Sequence, residues 1–206
     1  MSLIIHDIDQ NTEDWAKVRS GKVTGSSWHA LDVNGKQENG FGVGAITLMK
    51  QIAEERITGV PQDNYSNKAT DWGHTYEDDA RVNYELTFFE KVVQVGFVEK
   101  NEWVGCSPDG LVGEDQIVEF KCLPKEHMTI LIDNNPNSNH LKQCQFNLWV
   151  TGRSVCKLVY FHPNHPDKTK MIVFDVHKDK EYHERIQERV NTFVRMTEKL
   201  IRKITK

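Results

Sequence analysis

The 206-residue chain lacks an apolar run long enough to cross a bilayer, which takes about 18 residues or more. Its first residues, MSLIIHDIDQ, have neither a basic region nor a long apolar core, so we do not expect a signal peptide. Positive charge is not in excess either, since 26 Lys and Arg face 30 Asp and Glu for a formal net charge of −4. These absences favour a cytoplasmic protein and restrict any DNA-binding track to a local patch.

Cysteine is scarce, and its spacing is wrong for most cysteine chemistry. The four cysteines form no CxxC pair, and each lies in or beside an apolar segment: Cys106, Cys122, Cys144 and Cys156. This pattern predicts buried, reduced thiols rather than zinc ligands or disulfides. A reducing compartment is the natural setting for such a chain.

What the chain does contain is an acidic hairpin within residues 107–121. Three turn-forming residues lie between Val112 and Gln116, which predicts a three-residue hairpin loop. If Val112 pairs with Gln116, Asp109 lies directly opposite Glu119. Directly opposed residues share one face of the sheet, with Cβ atoms about 4.5–5.5 Å apart.

Asp109, Glu119 and Lys121 together give the pattern D-x9-E-x-K. Two facing carboxylates repel each other unless a proton or a cation lies between them, and Mg²⁺ held by oxygen ligands is one solution. Lys121 projects from the same face as Glu119, where it could orient or activate a water and offset charge in phosphoryl transfer. The alternative is a solvent-facing hairpin with a cross-strand ion pair, and the three letters alone do not exclude it.

Polar side chains also lie near the start of the chain, where two short helices are predicted. Residues 12–20 favour the first helix, and residues 23–27 open a second one. Hydroxyls and free N–H groups at a helix start can bind a phosphate, and Arg19 could add a bidentate contact. The alternative is an ordinary helix cap beside a surface arginine.

A helix over residues 69–89 carries another acidic candidate, Glu77. Its packing stripe repeats every fourth residue: Trp72, Tyr76, Ala80 and Tyr84. Glu77 and Arg81 lie four residues apart on a neighbouring face, so they predict either a helix-surface salt bridge or a third carboxylate for the acidic site.

The remaining pattern predicts a mixture of strands, helices and loops. Strands are expected twice within 91–106 and again at 155–161 and 171–176, and helices at 45–57, 143–150 and 179–204, the last one amphipathic. We expect this last helix to pack across the sheet or against a neighbouring subunit. Residues 34–44 and 133–140 favour loops. His162 and His165 could suggest a metal, but the prolines beside them favour a turn.

Five spaced strings resemble the phage lambda exonuclease and YqaJ-like viral recombinase family, within the PD-(D/E)XK nuclease superfamily. They are WxxxRxGxxTxS (15–26), WGxxYExxAR (72–81), CSPDGL (106–111), EFKC (119–122) and QxQxxxWVTxR (143–153). The resemblance implies an α/β (α+β) fold with a restriction-endonuclease-like core. In that fold a mixed central sheet is flanked by helices, and residues 1–206 would form a single domain with its long helix at 179–204.

The same resemblance implies roles for individual residues. The metal ligands for one or two Mg²⁺, with Mn²⁺ as a substitute, would be Asp109, Glu119, the Phe120 carbonyl and, directly or through water, Glu77. Lys121 would act on the attacking water, and Gln143 would steady that lysine or the scissile phosphate. A 5′-phosphate would bind at Arg19, Ser26 and Ser107, with Trp15 and Gln145 as further substrate-binding candidates.

Members of this family are processive 5′→3′ exonucleases, so the resemblance implies an enzyme that acts on double-stranded DNA ends. It would release 5′-mononucleotides and leave a 3′ overhang. It also implies a ring-shaped homotrimer that works with a single-strand annealing protein. The alternatives are a structure- or sequence-specific endonuclease on the same fold and a non-catalytic adaptor that binds DNA ends. The match fades in the loops 34–44 and 133–140, so no DNA-channel residues are assigned there.

Overall fold

A computed structural model describes residues 3–36, 40–62 and 68–206, and within these residues it has a mixed α/β fold. The helices are α1 Glu13–Arg19, α2 Trp28–Asp32, α3 Val43–Thr58, α4 Lys68–Phe88, α5 Pro124–Asp133, α6 Ser138–Thr151, α7 Asp167–Lys170 and α8 Lys180–Ile204. The strands are β1 Ile4–His6, β2 Val92–Val93, β3 Phe97–Asn101, β4 Val104–Cys106, β5 Gly110–Val112, β6 Gln116–Lys121, β7 Val155–Phe161 and β8 Met171–His177.

The central sheet has five strands in the order β2-β5-β6-β7-β8. β6 and β7 run parallel, whereas the other neighbouring pairs are antiparallel. The crossover from β6 to its parallel neighbour passes through α5 and α6, as a parallel pair requires. The predicted mixed sheet with flanking helices is therefore confirmed.

Residues 91–106 form three strands, so the prediction of two strands was wrong. β2 pairs with β5 at the edge of the central sheet, whereas β3 and β4 join β1 in a separate three-stranded sheet. Gly96, between β2 and β3, lies against the Ile8 backbone so closely that a Cβ there would be 2.2 Å from the Ile8 carbonyl oxygen. Because the chain passes from one sheet to the other at a glycine, the sequence pattern of β2 and β3 resembles that of one continuous strand.

The side chains of β6 alternate between two hydrophobic clusters. Val118 and Phe120 pack in the cluster that holds Ala80 and Tyr84 of α4, which confirms the predicted packing stripe of that helix. Ile117 packs in the other cluster, which also receives α6. Residues two apart share a face, so Glu119 and Lys121 face α6.

The segment 133–140 is not the continuous loop that its asparagines predict. Asn134 ends α5 in a left-handed conformation (φ 47°), and the Asn137 side chain accepts a hydrogen bond from the Asn139 N–H at the start of α6. Asparagine is well suited to both positions, so the polar string joins two helices. Part of the other predicted loop, 37–39, lies outside the described residues.

The C-terminal helix α8 packs on other helices, namely α2, α3 and α6. Its buried positions continue the predicted stripe, with Ile186, Val190 and Phe193 in the same cluster as α6. Of the two expectations for this helix, packing across the sheet gives way to packing on α2, α3 and α6, whereas packing against a neighbouring subunit stays a prediction. No helix of the described residues is long and apolar enough to span a membrane.

The four cysteines are free and buried, as their spacing predicts. Burial raises the pKa of Cys106 and Cys156 above the usual thiol range, and the neighbouring Cys144 adds to the effect at Cys156. These sulfurs therefore act as small apolar groups in the core.

Candidate active site

The β5–β6 hairpin has the register that its loop predicts. Val112 pairs with Gln116, and Gly110 pairs with Val118. One step further along, the Asp109 Oδ2 accepts a hydrogen bond from the Phe120 backbone N–H at 2.6 Å. The two acidic positions of the hairpin are thus brought to the same end of the sheet.

Glu119 is held by three donors although only 1% of its surface is exposed. Lys121 Nζ donates to Oε1 at 2.7 Å, and the Gln143 side-chain amide donates to the same oxygen. The Asn147 amide donates to the other oxygen, Oε2, at 3.1 Å. A buried carboxyl group needs hydrogen-bond partners, and two of these three come from α6.

The pKa of Asp109 and the pKa of Lys121 both lie above their ordinary values. Burial is the main reason that the pKa of Asp109 lies well above its ordinary value, and the nearby charges of Glu119 and Glu77 add to it. Burial alone would lower the pKa of Lys121, but the charges of Glu119 and Asp109 outweigh it and raise that pKa. Lys121 is therefore an ammonium ion at neutral pH, suited to orienting a water and offsetting negative charge.

Glu77 reaches this site from α4, on the other side of the sheet. Its side chain lines the same cavity as Asp109 and Glu119, and its charge contributes to the raised pKa of Asp109. Arg81, the partner considered for a helix-surface salt bridge, contacts Asp78 at 2.9 Å and Glu85 at 3.9 Å. The position of Glu77 is consistent with a third acidic group of the site.

The predicted phosphate-binding residues also lie together. Arg19 donates to Ser107 Oγ at 3.5 Å and to Ser26 Oγ at 3.4 Å, and its guanidinium lies 3.8 Å above the Trp15 ring. Trp15 Nε1 donates to Ser107 Oγ at 2.9 Å. Burial lowers the pKa of Arg19 to about 10, so the guanidinium keeps its charge at neutral pH. The cation, the indole N–H and the two hydroxyls thus form one connected group of polar atoms, a set of a kind suited to binding a phosphate.

These two groups of residues open into a single cavity of about 1140 Å³. Its lining includes the cation and hydroxyls of the proposed phosphate site and the acidic cluster with its lysine: Arg19, Ser26, Ser107, Glu77, Asp109, Glu119, Lys121 and Gln143. Helices, a strand and loops that are distant in sequence therefore combine to form one concave surface.

Gln145 lies elsewhere. Its side chain donates to the His177 carbonyl at 2.7 Å and accepts from the Asp179 N–H at 3.1 Å, so it fixes the junction of β8 and α8. On a helix, residues two apart point to different sides, and Gln143 takes the side that faces the cavity. Gln145 therefore stabilises this junction, and the structure does not bring it to the candidate site.

Asn147 is the site residue to which sequence reasoning gave no role. It lies one turn after Gln143 on α6, lines the cavity and donates to Glu119. The available signal was the spacing of four between two amide side chains on one helix face. That signal became specific only when the fold placed the face against Glu119.

His162 and His165 occupy the turn that the flanking prolines predict, closed by a hydrogen bond from the His165 N–H to the His162 carbonyl at 3.2 Å. Their rings pack on each other and on His127, with centroid distances of 4.6 to 5.5 Å. Within the described ranges, no three His, Cys, Asp or Glu side chains are arranged to hold a common metal ion. The histidines therefore form a packed aromatic cluster.

Comparison with solved structures places the fold among exonucleases. An alkaline exonuclease from Laribacter hongkongensis (LHK-Exo) is similar with a TM-score of 0.84 and 28% identity, over 94% of this chain and 96% of that one. The same values hold for LHK-Exo in complex with dAMP. A phage-related exonuclease from Haemophilus somnus 129PT shares the fold, with a TM-score of 0.73 and 17% identity over 89% and 96% of the two chains.

No curated protein matches the chain. Residues 14–154, however, match the YqaJ-like viral recombinase domain. The matched range contains every residue of the acidic cluster and of the Arg19 site, together with the α6 side chains that hold Glu119. Because this range covers more than half of the chain, the chain belongs to the YqaJ-like viral recombinase family.

Proposed function

We propose that this protein is a Mg²⁺-dependent exonuclease that degrades one strand of duplex DNA in the 5′→3′ direction. It releases 5′-mononucleotides and leaves a 3′ overhang for recombination by strand annealing. The observation that carries this proposal is the shared cavity, in which an anion site of Arg19, Ser26 and Ser107 opens onto the acidic cluster. Family membership and the similarity to LHK-Exo, which is also known in complex with dAMP, support it.

The donor set at the acidic end fits a hard divalent cation. Asp109 and Glu119 supply two carboxylates, and Mg²⁺ typically takes one or two carboxylates together with substrate phosphate and water. The described residues offer no third His, Cys, Asp or Glu in ligand position. The Phe120 carbonyl and water would therefore complete the shell, and Glu77 would act through water. Such an ion supplies a water of lowered pKa and neutralises charge on the phosphate.

The remaining residues position the substrate and its charge. Arg19 holds the terminal 5′-phosphate with the Ser26 and Ser107 hydroxyls, which fixes the strand end. The Lys121 ammonium orients the attacking water and offsets the charge that develops on the scissile phosphate. Gln143 donates to Glu119 and so steadies the carboxylate, whereas sequence reasoning assigned it to the lysine or the phosphate.

The experiment is a cleavage assay on linear duplex DNA with a 5′-phosphate and an internal label on one strand. We expect release of labelled mononucleotides in Mg²⁺ or Mn²⁺, no release in EDTA, and no attack on covalently closed circles. Cutting of closed circles would identify an endonuclease. Bound ends without cutting in either metal would identify a non-catalytic adaptor.

Two variants test the assignment of the acidic end. Glu119→Ala and Lys121→Ala should lose cleavage, by about a hundredfold or more, while duplex ends still bind. Exchange of Asn139, an exposed residue of α6, for alanine is the matched control and should leave the rate unchanged. Metal-dependent digestion by both active-site variants at the wild-type rate would contradict the assignment.

A further inference from the structure

Asn147 is buried directly behind the Glu119 carboxylate. Only 1% of its surface is exposed, and its Nδ2 donates to Glu119 Oε2 at 3.1 Å. The orientation of the amide is chemically required, because only its NH₂ group can face a carboxylate oxygen. Lys121 and Gln143 both bind the other oxygen. Asn147 is thus the donor that fixes Oε2, and with it the rotation of the carboxylate.

The other end of the Asn147 amide has no hydrogen bond within the described part of the chain. Its Oδ1 is buried without a partner and lies against the backbone of Gly25. A Cβ added to Gly25 would be 2.2 Å from this oxygen and 3.2 Å from the Asn147 Cγ. The amide therefore fills the space between Glu119 and residue 25, and no side chain fits at residue 25 while it does.

Gly25 belongs to the segment that bears the hydroxyls of the anion site. Its neighbour Thr24 contacts Ser26 Oγ at 3.2 Å, and Ser26 in turn contacts Arg19. Gly25 is buried and has no positive φ, so its need for glycine is one of space and not of backbone conformation. Asn147 thus contacts the acidic cluster on one side and the anion segment on the other.

We propose that Asn147 is a positioning residue that holds the Glu119 carboxylate and sets its place relative to the segment Thr24–Ser26. This inference rests on the proposed function, because it treats Glu119 as a metal ligand. Residues 25 and 147 therefore form a matched pair, because the large amide side chain fits at residue 147 only while residue 25 is small. A methyl group at residue 25 displaces the amide and so disturbs Glu119 indirectly.

The test is a double-mutant cycle read by Mn²⁺ binding to the full chain without DNA, measured by calorimetry. Asn147→Ala should weaken Mn²⁺ binding by about tenfold to a hundredfold, the usual effect of removing a partner of a metal ligand. Gly25→Ala should weaken it to a similar degree, since it pushes the same amide away. The double variant should bind Mn²⁺ as Asn147→Ala does, because the added methyl then has no amide to displace.

A rescue separates positioning from a general loss of structure. Asn147→Ser removes Oδ1 and is too short to reach Glu119, so Gly25→Ala/Asn147→Ser should regain the melting temperature that Gly25→Ala loses without regaining Mn²⁺ affinity. If Gly25→Ala does not fold, recovery of the wild-type melting temperature in this double variant supports the matched pair, and failure to recover it overturns the pair. Gly44→Ala is the matched control, since among the described residues a Cβ there meets only Ala30, at 3.6 Å.

Two results would overturn the inference. The first is that Asn147→Ala binds Mn²⁺ with an affinity within twofold of the wild type. The second is that the loss of Mn²⁺ affinity in the double variant equals the product of the losses in the two single variants. The cleavage assay is independent of both. If the wild-type chain binds Mn²⁺ and follows the cycle without cleaving DNA, the proposed function fails while the role of Asn147 stands. If it cleaves DNA but departs from the cycle, only the positioning role fails.

Discussion

At the residue scale, Asp109 and Glu119 have the same side-chain chemistry in different surroundings. Glu119 is enclosed by an ammonium group and two amides. Asp109 accepts a backbone N–H and lies near two other carboxylates, so burial and like charge raise its pKa. An acidic group with a raised pKa destabilises the folded chain when it is ionised. The site thus holds a charge that a bound cation would stabilise.

Asp109→Asn therefore changes stability in a direction that depends on pH. Because the folded pKa is raised, the contribution of Asp109 is fully favourable below the unfolded value of about 3.9 and is lost as pH rises through the folded pKa. In EDTA at pH 8, the variant should melt a few degrees above the wild type, and this difference should vanish near pH 3. Thermal unfolding followed by circular dichroism measures it.

Mg²⁺ should reverse this order. It should raise the melting temperature of the wild type, since the ion binds only the folded chain, and leave Asp109→Asn nearly unchanged. Asn139→Ala, which removes an exposed side chain of α6, serves as a control and should follow the wild type with and without Mg²⁺. A variant that melts below the wild type in EDTA at pH 8 would show that Asp109 is favourable as a free carboxylate.

Under the proposed function, Arg19 would discriminate between 5′-phosphorylated and 5′-hydroxyl strand ends. Arg19→Ala should reduce kcat/KM for 5′-phosphorylated duplex by about tenfold to a hundredfold, the range expected for charge-assisted hydrogen bonds. It should have little effect on duplex with a 5′-hydroxyl. Arg19→Lys keeps the charge but not the planar fork, so it should fall between the two. Equal losses on both substrates would assign Arg19 to the general fold of the cavity.

At the element scale, the hairpin was predictable from sequence because its loop residues determine its register. Three residues between Val112 and Gln116 are enough to place Asp109 beside Glu119. The helices with a complete apolar stripe and a closing glycine were equally predictable, as α3 shows with Gly59 at φ 69°. Local sequence rules were sufficient to predict an element when its own residues determine where it begins, which face it buries and where it ends.

The sequence did not reveal what depends on contacts between distant elements. The switch between sheets at Gly96 and the packing of α8 on other helices arise from tertiary fit. The role of Asn147 arises in the same way, because Glu119 and Gly25 are remote from it in sequence. The helix α5 had no strong periodic signal of its own, and it begins at Pro124 after Leu123, an extended residue whose side chain makes no capping hydrogen bond.

Substitution of Gly113 tests whether the conformation of the hairpin loop affects the stability of the fold or the cleavage rate. It has a left-handed conformation (φ 52°), and no atom of the described ranges lies within 4 Å of the position of a Cβ, so we expect any penalty for substitution to come from the backbone. Gly113→Ala should reduce the free energy of unfolding by about 1 kcal/mol, with the cleavage rate of the folded chain unchanged. Gly113→Asn should cost less, because asparagine adopts this conformation more readily. Urea unfolding of the two variants provides the comparison, and equal losses would show that the penalty is steric.

At the scale of the whole molecule, the net charge of −4 limits how the protein can remain on DNA. Long-range attraction to phosphates is weak for such a chain, so under the proposed function local contacts at the Arg19 site, together with any cations bound at the acidic site, would have to hold the strand end. Repeated cleavage of one strand, if the protein is processive as proposed, would then need a device that prevents its escape from the DNA between steps. A ring-shaped homotrimer around the duplex, the assembly that the family resemblance implies, provides enclosure without net attraction.

A protein that encloses the duplex should respond to competitor DNA and to salt differently from a protein that is held on DNA by charge alone. Light scattering should give a mass about three times 23.8 kDa, and digestion of a labelled duplex should continue for many steps after excess unlabelled ends are added. Higher salt should slow loading on new ends far more than it slows digestion already under way, because a closed ring does not depend on screened charge. A monomeric mass, or digestion that stops when competitor ends are added, would mean that each cut is followed by release. In that case the annealing protein would have to keep the enzyme at the strand end.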